Sequence, residues 1–252
     1  MSARVAKLGF DARLLRDLLV SALRQRLLFV LLAIDAGLIL LHIGIIGVTP
    51  NEHLPPWTNW FRLSNDGSLA EIFEYLQVIG GAVLLLGVAR TRLAPIVPIA
   101  LILFYIVVDN ALSLHEWAAY FILPDHQNRG ELLVSAGIGL IMAAAGVFAF
   151  RHADRQERAA IIAVGLGVAS IGAMAVGVDG LHAVGKQYSF ALGRVLLVLE
   201  DGGELIAQSI LLAVCFVVHQ RLTASDAIAS PAVDSGAFAQ TGLAQHAARD
   251  PS

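Results

Sequence analysis

The sequence predicts an all-α polytopic membrane helix bundle with six transmembrane helices and both termini in the cytoplasm. Three observations lead to this prediction: composition, the length of the apolar runs, and the distribution of positive charge. The chain of 252 residues is 57% hydrophobic and only 15% charged, with a mean hydropathy of +0.73. Soluble domains carry about 25% charged residues, so a soluble fold is excluded.

The apolar residues are concentrated in six runs, each close to the length of about twenty residues that crosses a hydrocarbon core of about 30 Å. They define a transmembrane domain over residues 27–218. The six runs are 27–48, 70–89, 95–116, 132–150, 159–179 and 195–218.

The two flanks of this domain differ in character. Residues 1–26 are basic, and their leucines recur at helical spacing. This pattern fits either an amphipathic helix at the membrane surface or a solvated cytoplasmic lead-in. Residues 219–252 are rich in Ala, Ser and Gly, which predicts a disordered cytoplasmic tail. The first apolar run is too long for the core of a cleavable signal peptide.

Positive charge sets the orientation of the predicted bundle. With the N-terminus inside, thirteen of the 17 Lys and Arg residues fall on the inner side and four on the outer side. Positively charged loops remain in the cytoplasm. We therefore expect a multi-pass protein of a bacterial inner (plasma) membrane with both termini cytoplasmic.

Acidic and histidine residues lie in four of the spans at a similar depth near the outer surface. Ionisable groups in lipid are costly, so they usually serve function and face one another. The candidate metal ligands are Glu71, Glu74, Asp109, His115, Glu116, Asp179, His182, Glu200, Asp201 and Glu204. The polar residues that extend these stripes, and that could support the ligands from behind, are His42, Gln77 and Gln208.

Spacing within each span predicts that these groups share helix faces. Glu71 and Glu74 are three residues apart, as are Asp179 and His182, and Asp109 and Glu116 are separated by two turns. Carboxylates this close repel one another unless protons, basic side chains or a metal compensate them. Basic residues are scarce on that side. Carboxylates with imidazoles suit zinc, iron or manganese, which are the expected cofactors, and the arrangement is similar to di-iron carboxylate bundles.

Simpler interpretations exist for several of these residues. Glu71 and Glu74 could complement a helix dipole at the membrane surface, and His182 could lie in a loop. His115 and Glu116 are adjacent, so they point about 100° apart on a helix. Asp35 lies deeper and could be either a helix–helix hydrogen-bond partner or a proton-binding residue. The fourth run, with its glycines and alanines from Gly137 to Gly146, is predicted to be a structural helix with a small-residue face for close packing.

The stretch Asp109-Asn110-Ala111-Leu112-Ser113-Leu114-His115-Glu116 resembles an Asp-Glu-Ala-Ala-x-x-His-Glu signature of uncharacterised bacterial polytopic membrane proteins. Asn110 stands where the signature has a second acid. Two later segments, around Asp179 and around Glu200-Asp201-Gly202-Gly203-Glu204, are similar to acidic motifs of the same proteins. The resemblance implies no particular activity.

Three functions fit these observations. The first is a metal-dependent membrane enzyme, a hydrolase or oxidase that acts on a lipid-like substrate from the outer leaflet. The second is a proton- or ion-coupled transporter, and the third is a non-catalytic subunit or assembly factor of a membrane complex. The expected partners are the lipid bilayer and a lipid-like substrate. Nucleic acid is not expected because the chain has no basic domain, and the single cysteine, Cys215, excludes a disulfide framework.

Overall fold

The computed structural model describes residues 11–48, 56–89 and 93–229, and in these ranges it is helical with no β-strand. The elements are α1 (Ala12–Leu23), α2 (Arg26–Val48), a short 3-10 helix (Pro56–Phe61), α3 (Leu69–Ala89), α4 (Leu93–Leu112), α5 (Leu114–Ile122), α6 (Gln127–His152), α7 (Arg155–Gly172), a π-helical segment (Ala173–Val178), α8 (Asp179–Tyr188) and α9 (Phe190–Ala229).

Six stretches of the described chain are long and apolar enough to cross a membrane, which confirms the predicted helix bundle. They are Arg26–Ile45, Leu69–Ala89, Pro95–Leu112, Arg129–His152, Arg155–His182 and Phe190–Asp226. Many of their large apolar side chains are exposed on the outside of the bundle, as expected for residues that contact lipid rather than water.

The last helix, α9, lies at the centre of the bundle. It packs against α1, α2, α3, α7, the π-helical segment and α8. Two glycines permit close approach at this centre. A Cβ atom on Gly202 would lie 3.1 Å from Ile39 Cδ1 of α2, and a Cβ atom on Gly81 of α3 would lie 3.2 Å from Cys215 Sγ of α9. Small residues at such crossings let membrane helices come together.

The helix α1 covers the second half of the basic lead-in. It is amphipathic and begins after Asp11, whose side chain accepts a hydrogen bond from the backbone of Arg13. Leu18 and Ala22 are buried against the main core, and α1 packs against α7 and α9. The Arg221 side chain of α9 donates to the Ser21 hydroxyl at 2.8 Å. The described part of the lead-in is therefore a helix that packs on the bundle, and its place at a membrane surface stays a prediction.

The third predicted span is interrupted, which corrects the prediction of one helix over 95–116. Ser113 adopts a left-handed backbone conformation with φ of 46° and separates α4 from α5. A non-glycine residue in this region breaks the helical repeat. The prediction that Asp109 and Glu116 share one helix face is therefore wrong, because the two residues belong to different helices.

The ends of the last two predicted spans also differ from expectation. The fifth span runs from α7 through the π-helical segment into α8, and α7 begins at a capping box formed by Asp154 and Glu157. The sixth continues as helix to Ala229, past the expected boundary at residue 218. Thr223 and Ser225 donate their hydroxyls to carbonyls one turn earlier, so these polar residues do not end the helix. The rest of the predicted disordered tail, 230–252, lies outside the described residues.

The fourth span, α6, packs against α4, α5 and α7. Only 6% of its apolar window is buried. Cβ atoms added to Gly137, Gly139 or Gly146 would have no neighbour within 4 Å. The predicted close packing on this small-residue face is therefore not present within the described chain.

Candidate functional site

A buried polar triad joins three helices near the middle of the membrane. Asp35 of α2 accepts a hydrogen bond from the Ser209 hydroxyl of α9 at 2.7 Å. Ser209 in turn accepts from the Gln77 side-chain amide of α3 at 2.9 Å. All three side chains are at least 98% buried. At roughly 1.5 Å per residue, Asp35 lies about 13 Å along α2 from Arg26, close to the membrane centre.

A second polar contact lies one helical turn nearer the N-terminal end of α3. Gln208, beside Ser209, donates its side-chain amide to the Glu74 carboxylate at 3.2 Å. Glu74 is one turn before Gln77 on α3 and interacts electrostatically with Glu204, Asp201 and Glu71. Glu74 of the second span therefore lies beside the polar side chains of the sixth, and the convergence of these acids on a metal stays a prediction.

The segment before α3 contacts the C-terminal half of α2 and the N-terminal end of α3. The backbone N–H of Leu63 donates to His42 Nδ1 at 3.0 Å, and this contact is buried. Glu71 accepts hydrogen bonds from the Gly67 backbone and from the Tyr75 hydroxyl. His42 therefore positions this segment through its backbone, and Glu71 has a structural role at the start of α3 in addition to its place beside Glu74.

A third pair connects α8 to α9. His182 Nδ1 lies 2.9 Å from a carboxylate oxygen of Glu200. Asp201 interacts electrostatically with both residues. His182 is thus part of a helix and faces the acids of α9, and the interpretation of this histidine as a loop residue is wrong. The side chain of Asp179, the remaining candidate in this helix, lies outside the described residues.

Asp109 and His115 of the third predicted span form a separate pair. Asp109 accepts from the Tyr105 hydroxyl at 3.2 Å and from the His115 backbone at 3.0 Å. His115 Nδ1 lies 3.1 Å from the other Asp109 oxygen. This pair bridges the break between α4 and α5, and Glu116 is exposed. The hydrogen-bond partners of Asp109 and His115 are thus local to this break. The helix of Asp109, α4, packs against α3, α5, α6 and α7.

Several buried polar atoms in the described residues lack a hydrogen-bond partner. A buried acceptor without a donor costs free energy of about 1–3 kcal/mol, and such atoms call for an explanation by an ion, a proton or water. Four of the six are oxygens on α2, α3 and α9. The atoms are Asp35 Oδ1, Gln77 Oε1, Asp201 Oδ2, Gln208 Oε1, His42 Nε2 and Arg62 Nε.

The donor set of this region consists mainly of oxygens. Unpaired carboxylate and amide oxygens attract hard cations or protons. Among the described residues, no group of three or more His, Cys, Asp or Glu side chains is arranged to hold a metal ion. Zinc, iron or manganese at the outer cluster therefore remains a prediction, with His182, Glu200 and Asp201 as the residues best placed to contribute to it.

Sequence reasoning missed Ser209 as a functional candidate. A serine is common in membrane helices and gives no signal by itself. The available signal was depth: Asp35 needs a hydrogen-bond donor at the membrane centre, and Ser209 directly follows Gln208, which was already assigned to the polar stripe of the last span.

Residues 18–219 match the family model described as "Domain of unknown function (DUF8692)". No curated protein and no solved structure matches the chain. The family match agrees with the expectation of an uncharacterised family, and its description gives no activity.

Proposed function

The chain belongs to the DUF8692 family, and we propose that it is an ion-coupled membrane transporter that exchanges protons for small cations. The observation that carries this proposal is the buried polar network of α2, α3 and α9. It consists of two contacts one helical turn apart along α3: the bond of Gln208 to Glu74, and the triad in which Ser209 joins Gln77 to Asp35. Intramembrane acids of this kind mark ion pathways and proton relays.

The charge of the outer end favours a cationic cargo. Glu204, Asp201 and Glu71 each interact electrostatically with Glu74, and Asp201 also interacts with Glu200. A surface that carries one sign of charge attracts ions of the opposite sign. The network ends near the membrane centre, where transporters commonly place their substrate and coupling ions before the inner side opens.

Proton–cation exchange can be tested in liposomes that contain the purified protein and a trapped pH-sensitive dye. Salts of sodium, potassium, manganese, iron and zinc are added outside, and the internal pH is followed. We expect at least one cation to drive proton movement through the wild-type protein. Asp35→Asn and Glu74→Gln should reduce the response to that of protein-free liposomes, because each removes an exchangeable negative charge from the network.

Asp125→Asn is the matched control, since Asp125 is an exposed acid of the segment between α5 and α6. It should leave the exchange unchanged. The proposal is contradicted if no cation of the panel moves protons, or if Asp35→Asn exchanges as fast as the wild type.

A metal-dependent enzyme of the outer leaflet is the second candidate, and the contact between His182 and Glu200 favours it. With Asp201 beside them, these residues provide imidazole and carboxylate ligands of the type that zinc or iron accepts. Such a metal would activate water for hydrolysis or oxygen for oxidation of a lipid-like substrate. Metal analysis of purified protein tests this candidate: it requires a near-stoichiometric metal that is lost in His182→Ala, and trace metal in the wild type eliminates it.

A further inference from the structure

We propose that a single proton occupies the triad of Asp35, Gln77 and Ser209, bound to Asp35 Oδ1. Asp35 is thus a neutral carboxylic acid in this conformation. The role of this proton as the coupling ion rests on the proposed function, whereas its presence can be measured independently of transport.

A count of donors and acceptors in the triad supports this inference. Ser209 donates its only hydroxyl proton to Asp35 Oδ2, and the Gln77 amide donates to Ser209. Asp35 Oδ1 and Gln77 Oε1 then remain as buried acceptors without a donor. One proton on Asp35 Oδ1 turns that oxygen into a donor and removes the negative charge from the apolar interior. Gln77 Oε1 is then the one acceptor of the triad that still lacks a donor.

The surroundings of Asp35 leave its charge without a local cation. Ser209, which bonds Asp35, and Gln77, which bonds Ser209, are neutral side chains. The titratable or charged groups on its own helix, on α3, on α9 and beside the 3-10 helix are Arg26, His42, Arg62, Glu71, Glu74, Tyr75, Arg194, Glu200, Asp201, Glu204, Cys215, His219, Arg221 and Asp226. The basic members bond elsewhere or lie toward the ends of the helices. Arg26 begins α2, and Arg194, in the first turns of α9, lies over the Phe190 ring. Arg221 bonds α1, His219 bonds the Leu84 carbonyl, and Arg62 lies beside His42.

A proton fits this site better than a sodium ion. Sodium is held by a shell of several oxygens, whereas the Ser209 hydroxyl is already hydrogen-bonded as both donor and acceptor. A proton needs no added volume and satisfies the carboxyl group directly. It also has a route to the outer acids, because Glu74 lies one turn from Gln77 and bonds Gln208, the neighbour of Ser209.

Infrared difference spectroscopy of the full-length protein in lipid nanodiscs at neutral pH tests the proposal. A protonated carboxyl group gives a carbonyl stretching band that is distinct from carboxylate bands and shifts in D2O. We expect such a band in the wild type and its loss in Asp35→Asn. In Ser209→Ala the band should persist at higher frequency, because the hydrogen bond to Asp35 Oδ2 is removed. Ser170→Ala, which removes a serine hydroxyl bonded to a carbonyl of α7, should leave it unchanged.

The proposal is overturned if the wild type and Asp35→Asn have the same carbonyl band, or if Ser209→Ala does not shift it. It is also overturned if sodium, but not choline, raises the thermal stability of the wild type and not of Asp35→Asn, because the site would then hold sodium. If the Asp35 band is present but the liposomes show no proton–cation exchange, the proton site is supported and the proposed transport function is contradicted.

Discussion

His42 shows how one residue can fix the position of a whole segment. Its side chain is fully buried in α2, and Nδ1 accepts the backbone N–H of Leu63, which lies beyond the 3-10 helix. The segment between the 3-10 helix and α3 forms turns of its own, such as the bond of the Asn65 N–H to the Arg62 carbonyl. The His42 acceptor satisfies the buried N–H of Leu63 and attaches this segment to α2.

Replacing His42 by Leu keeps most of the side-chain volume but leaves the buried Leu63 N–H without its acceptor. We expect the free energy of unfolding in detergent to fall by about 1–3 kcal/mol. His152→Leu is the control, because the His152 ring bonds a carbonyl at an exposed site, and its effect should stay within about 0.5 kcal/mol. Equal effects of the two substitutions would show that His42 does not hold the segment.

The residue scale also shows the limit of sequence reasoning. The acids at Glu74 and Glu204 were identifiable, because charged residues within apolar runs are rare and demand partners. Ser209 was not, because its function depends on which helix lies opposite, and one sequence does not specify helix neighbours. The depth of Asp35 within its span could be predicted, but its hydrogen bond to Ser209 could not.

At the scale of elements, helix boundaries decided which residues share a face. The runs of apolar residues predicted the number and approximate position of the spans, because about 30 Å of hydrocarbon imposes their length. The break at Ser113 left no comparable signal, because serine occurs within helices as well as at their ends. As a result, the sequence suggested one stripe from Asp109 to Glu116, whereas His115 folds back onto Asp109 and Glu116 is exposed.

The contact of α5 with α6 depends on Gly130. A Cβ atom at this position would lie 2.9 Å from the Ala119 carbonyl oxygen and 3.2 Å from its Cα atom. These are backbone atoms of α5, which cannot move without moving the helix.

Gly130→Ala should therefore displace α5 and lower the free energy of unfolding by about 1–3 kcal/mol, and it should make the exposed face of α5 more sensitive to proteolysis. Gly137→Ala, on the same helix but with no neighbour within 4 Å, should be neutral or slightly stabilising. Thermal unfolding and limited proteolysis of both variants check this. Similar behaviour of the two variants would refute the close approach at Gly130.

At the scale of the whole molecule, the distribution of Lys and Arg predicts how the chain is oriented in the membrane. Topology places the outer acids and the His42-bound segment on the side opposite the termini only if the helices alternate across the membrane. The six spans within the described residues are compatible with this alternation, and the side on which the termini lie remains a prediction.

Fusions to alkaline phosphatase, which is active only outside the cytoplasm, test the orientation. A fusion after Asp125, between α5 and α6, should be active, and a fusion at Ser252 should be inactive. A green fluorescent protein at Ser252 should fluoresce, which controls for expression. The reverse pattern of phosphatase activity would place the acid cluster on the cytoplasmic side and contradict the expected topology.

Helices α2, α3 and α9 meet at the buried triad of Asp35, Gln77 and Ser209, and a double-mutant cycle between Gln77 and Ser209 measures the bond at its centre. Gln77→Leu, Ser209→Ala and their combination are compared by the free energy of unfolding, with Gln77→Leu and Ser170→Ala as the control pair. We expect a coupling of about 0.5–3 kcal/mol for the first pair and additivity within about 0.5 kcal/mol for the control. Additive effects in both cycles would show that the two side chains do not bond, and the account of the network would fail.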